Sequence, residues 1–76
     1  MEEIIKILNE VKPGIDYTNT NIDLIKDNVL NQNDLVVLAS KLNQIYGIDI
    51  DVEETDMKWF KSPETIYKLV WEKQTT

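Results

Sequence analysis

The chain has 76 residues, 14 acidic and 8 basic side chains for a net charge of −6, and neither cysteine nor histidine. A chain this short closes one hydrophobic core and no more, and its acid excess argues against nucleic acid and anionic membrane surfaces, which select for clustered Lys and Arg. Disulfides, thiolate zinc sites and Ser–His or Cys–His catalysis are excluded, so neither an enzyme nor a metal centre is expected.

Hydrophobic residues make up 42% of the chain, and Gly14 and Gly47 are the only glycines. That is too apolar for a disordered segment, and so few turn formers suit long helices better than many short strands. A core of this size nets about 3–5 kcal/mol after chain entropy, with no disulfide to supplement it. Apolar runs such as residues 36–39 are too short for a membrane span or a signal-peptide core, so a cytoplasmic monomer is expected.

Ile4, Ile5, Leu8 and Val11 recur at helical spacing over residues 2–12, with Glu2 and Glu3 suited to the positive end of the helix dipole. Pro13 and Gly14 stop this helix. Residues 15–33 have no sustained period, and isolated apolars (Ile15, Tyr17, Ile22, Leu24, Ile25, Val29, Leu30) predict a long loop pinned to the core. Such loops are often functional. Leu35, Leu38, Leu42 and Ile45, flanked by Ala39 and Tyr46, predict the second helix. Asn31 or Asn33 can cap it, and Gly47 closes it in a left-handed turn. Ile48, Ile50 and Val52 alternate with acids, but a lone strand has no partner, so this reads as an extended loop plugging three side chains into the core. Residues 55–60 suit one short helical turn. Ser62 as N-cap and Pro63 at the first position open the last helix, whose core face is Ile66, Leu69 and Val70. Residues 74–76 are expected to fray.

This order resembles the acyl and peptidyl carrier family, and residues 23–51, DLIKDNVLNQNDLVVLASKLNQIYGIDID, carry the likeness. Asp23, Leu24, Asp27 and Leu30 match a D-L-x-x-D-x-x-L lead-in. Tyr46, Gly47, Ile48 and Ile50 match the exit from the family's second helix, and Ser62 with Ile66, Leu69 and Val70 matches its last helix. The likeness runs from about Ile4 to Val70. It implies an all-α, acyl-carrier-protein-like four-helix bundle, three helices longer and one short, with a long first loop, in a single domain over residues 1–76.

The departures fall where the family's chemistry lies. Its Asp-Ser-Leu motif becomes Asn31, Gln32 and Asn33. The family's serine hydroxyl attacks the pyrophosphate of coenzyme A and then holds the phosphopantetheine arm as a phosphodiester. A carboxamide forms no such ester, so Gln32, the equivalent position, is expected to carry no arm and no cofactor is predicted. Ser40, Ser62, Thr18 and Thr20 are poor substitutes: Ser40 lies about two turns into the helix, Ser62 caps another, and both threonines sit in the loop. The family's acidic docking positions fall on Val37, Asn43, Gln44 and Ile45, all uncharged. Acid has moved to Asp49, Asp51, Glu53, Glu54 and Asp56. The candidates left for binding a partner are Asn33, Asp34, Val36, Val37 and Lys41, and one of the two adjacent valines is expected to face outward.

Other features have plainer readings. Asp49, Asp51 and Glu53 mimic the first, third and fifth positions of a calcium loop, but Glu54 stands where glycine is needed and Phe60 where a bidentate glutamate is. The run is a solvated acidic loop. Trp59, Phe60 and Trp71 read as core or half-core rather than a ligand platform, and Lys58, Lys61, Lys68 and Lys73 balance the acids. The function expected is a carrier-like module without its arm, binding a partner protein such as a biosynthetic enzyme. The alternatives are a true acyl, aminoacyl or peptidyl carrier loaded elsewhere or altered at Gln32, and an unrelated small helical adaptor.

Overall fold

Ile4, Ile7 and Leu8 turn one apolar stripe inward from α1 (Glu2–Val11), while Ile5 and Val11, expected to share that stripe, are only partly buried. The computed structural model describes residues 2–19 and 21–75. Two further α-helices follow, α2 (Gln32–Tyr46) and α3 (Pro63–Thr75), with single 3₁₀ turns at Val52–Glu54 and Met57–Phe60 between them. The described residues are all helical or irregular, with no strand. The short helical turn expected over residues 55–60 is the Met57–Phe60 turn, and a second forms at Val52–Glu54, where an extended loop was expected. Asp51 and Asp56 cap them, accepting from the backbone N–H of Glu53 and Lys58 at 3.0 Å each.

Each α-helix packs on the other two; the Val52–Glu54 turn lies against α2 and the Met57–Phe60 turn against α3. The shared core contains Leu24, Leu30, Leu38, Leu42, Ile50, Phe60 and Ile66, all buried. Each such side chain contributes about 1.5–3 kcal/mol by leaving water. Phe60 is fully buried and Trp59 half-buried, but Trp71, expected in or near the core, is 56% exposed. Its neighbours Leu69 and Val70 take the inward-facing positions of α3 instead.

Helix ends follow local chemistry. Asn31 caps α2, and Gly47 ends it at φ 65°, donating its N–H to Asn43 O at 2.9 Å. Ser62 Oγ accepts from Thr65 N–H at 3.2 Å while Thr65 Oγ1 accepts from Ser62 N–H at 3.1 Å, a reciprocal cap before Pro63. Helix α3 extends through Thr75, past Gln74 where fraying was expected to begin, with the Thr75 hydroxyl donating to Trp71 O and Glu72 O. Thr76, also expected to fray, lies outside the described residues.

The long loop is fastened at several points. Tyr17 is buried and donates its hydroxyl to Lys12 O at 2.6 Å. Leu24 N–H reaches Lys61 O at 2.7 Å, tying the loop to the approach to α3. Asp23 Oδ1 accepts from Ile25 and Lys26 N–H at 3.0 and 2.9 Å, and Asp27 Oδ2 accepts from Asp23 N–H at 2.9 Å. Asn28 takes φ 57° within this turn, a left-handed conformation asparagine tolerates. Leu30 N–H then closes on Leu24 O at 2.9 Å.

Candidate functional site

Gln32 is the first residue of α2 and is exposed. The helix start behind it is firmly built. Asn31 Oδ1 accepts from Asp34 N–H at 2.8 Å, and Asp34 Oδ2 accepts from Asn31 N–H at 3.0 Å. Such a capping box satisfies two donors that the helix leaves unpaired.

From Gln32 an open groove of about 720 Å³ runs along α2. One wall is Gln32, Val36, Ser40 and Gln44; the other is Asp49, Asp51 and Glu53; Ala39, Ile50 and Val52 form the floor. No basic side chain lines it. The acidic wall is held by Asn43, whose Nδ2 donates to Ile50 O at 3.1 Å while its Oδ1 accepts from Ile50 N–H at 2.7 Å. The Gly47 turn reverses the chain, and this clamp sets the returning segment against α2.

The structure separates the candidate partner-binding residues into two groups. Asn33, Val36 and Val37 are exposed, both valines rather than one: Val36 to 52% and Val37 to 46%. Asp34 and Lys41 instead face α1. Lys12 Nζ is 3.7 Å from Asp34 Oδ2, and Lys41 Nζ is 3.8 Å from Glu10 Oε1. Ile45, expected in the core stripe, is 50% exposed, because the α1 residues beside it include Glu3, Lys6 and Glu10. Burial, and secondarily the charge of Asp34, pushes the Tyr17 hydroxyl above its ordinary pKa, so it stays protonated on Lys12 O.

Among the hydroxyls weighed as substitutes for a serine at position 32, Ser40 is exposed within α2 and lines the groove. Thr18 is bound to the Asp16 carboxylate, Ser62 caps α3, and Thr20 lies outside the described residues. Asp49, Asp51 and Glu53, taken as a solvated loop, form a wall of the groove. The signal for that was the glycine turn followed by inward-alternating apolars. Among the described residues no three or more carboxylates are grouped to hold a metal ion, and no helix is long and apolar enough to cross a membrane. No protein family, curated protein or solved structure matches this chain.

Proposed function

We propose that the chain is a carrier-like module without a covalent arm, working by binding a partner protein along the groove between α2 and residues 49–53. The observation that carries this reading is Gln32: an exposed carboxamide on the first turn of α2, behind an intact cap, where the resemblance places the attachment serine. A carboxamide cannot form the phosphodiester. The turn built by Asp23, Leu24, Asp27 and Leu30 supports the likeness, since its two leucines are buried and its two aspartates close the backbone. In this reading the Met57–Phe60 turn stands in for the family's short third helix. The protein acts in the cytoplasm as a monomer until it meets its partner.

Docking rests on exposed Val36 across the groove from the carboxylates of the opposite wall, with Val37 exposed on α2 outside the groove lining. Several like charges at one groove set the steering field for an oppositely charged surface. Two measurements test this. Intact mass of the protein from its own cells is expected to equal the bare polypeptide, and a phosphopantetheinylated population contradicts the proposal. Carbodiimide cross-linking in a co-purified complex is expected to join Asp49, Asp51 or Glu53 to partner lysines; cross-links confined to other faces argue against this groove.

A further inference from the structure

The acidic segment has a second side. Its residues 49–53 wall the α2 groove, while Glu54 and Asp56 line another, of about 400 Å³, against α3. Trp59 and Leu69 supply its apolar surface, Leu69 buried and Trp59 half-buried; Glu72 and Lys73 of α3 complete the far wall with Thr55. Three carboxylates thus meet the Lys73 ammonium within the groove, beside an indole ring that a second ammonium, Lys58, approaches from outside the lining. Asp56 is fixed by its own turn, accepting from Lys58 N–H at 3.0 Å. The indole already attracts a cation, for Lys58 Nζ lies 5.9 Å from its centroid. An aromatic face ringed by carboxylates favours a planar cation that can both stack and form paired hydrogen bonds, which is arginine rather than lysine. This chain contains no arginine: all 8 of its cationic side chains are lysines, so a second copy cannot supply one. Anionic surfaces are repelled by the same rim.

We propose that this groove receives an arginine side chain of the partner protein, stacked on Trp59 and held by the Glu54, Asp56 and Glu72 carboxylates. The inference rests on the reading of the chain as a protein-binding module, and its test reads Trp59 rather than Gln32, so the two fail separately. In a Trp71→Phe background, which leaves Trp59 as the only indole, fluorescence is followed during titration with a blocked triarginine peptide. A blocked trilysine peptide and N-acetylarginine amide serve as comparisons. Saturable change is expected, with triarginine roughly threefold tighter than trilysine. Glu54→Gln and Glu72→Gln should each weaken triarginine about threefold, while Glu64→Gln, on α3 outside the groove, leaves it unchanged. Circular dichroism verifies that each variant is folded. The proposal is overturned by an unsaturable response, by equal affinity for the lysine peptide, or by indifference to Glu54→Gln and Glu72→Gln. N-acetylarginine amide is expected to displace triarginine from the same site, since one guanidinium fills the groove; failure to compete also overturns the proposal.

Discussion

The Asn43 side chain closes a two-bond ring on the backbone of Ile50, donating to its carbonyl at 3.1 Å and accepting from its N–H at 2.7 Å. That ring joins the last turn of α2 to the acidic segment and so fixes the width of the groove. Asn43→Ala strips both partners from a part-buried backbone unit. Leaving such groups unsatisfied costs about 1–3 kcal/mol, and urea unfolding is expected to register a loss of that size. Hydrogen exchange at the Ile50 amide should also accelerate. An unchanged urea midpoint contradicts this role for Asn43.

Gly47 ends α2 at φ 65°, and nothing lies within 4 Å of a Cβ added there. The cost of Gly47→Ala is therefore backbone strain alone, about 1 kcal/mol. Gly47→Asn should recover part of it, because asparagine enters the left-handed region more readily. Thermal unfolding of the three proteins is expected to rank glycine, asparagine, alanine.

Acid sensitivity should appear at Asp23. Its carboxylate is held below the ordinary aspartate pKa first by the hydrogen bond from Lys26 N–H, then by that from Ile25 N–H and by the nearby Lys61 and Lys26 charges, against some desolvation. A depressed folded-state pKa means that the stabilisation is complete above the unfolded value, about 3.9, and is lost as pH falls through the lower folded value. Denaturant midpoints of the wild type should fall across that acidic window, and Asp23→Asn should flatten this part of the profile. A profile unchanged by the substitution contradicts the assignment.

What the sequence made legible was chiefly local. Gly47 and the Ser62–Pro63 start each answer a backbone demand within a few residues, so residue type suffices to place them; for the α2 cap it narrowed the choice to Asn31 or Asn33, and the structure has Asn31. Exposure is different, because it depends on what covers a position. Ile45 continues the stripe of Leu35, Leu38 and Leu42, yet α1 meets it with charged side chains. Trp71 looked like core by size alone, but Leu69 and Val70 occupy the inward face of α3. The groove was not read from the sequence, where the acidic run after the Gly47 turn stood only as a solvated loop. The Asn43–Ile50 bonds that shape it join residues seven apart across that turn, a pairing no periodicity reports. Asp34 and Lys41 were candidates for a partner surface, whereas their partners, Lys12 just past the end of α1 and Glu10 within it, emerge only once the helices are packed.

In the proposed reading Gln32 occupies the position of a carrier's attachment serine and blocks loading. That reading is tested most directly by intact mass after incubation with coenzyme A, magnesium and a broad-specificity phosphopantetheinyl transferase, for the wild type beside Gln32→Ser. The wild type is expected to stay unmodified while the folded Gln32→Ser variant gains one phosphopantetheine arm. A modified wild type, or a folded variant that remains bare, contradicts the reading.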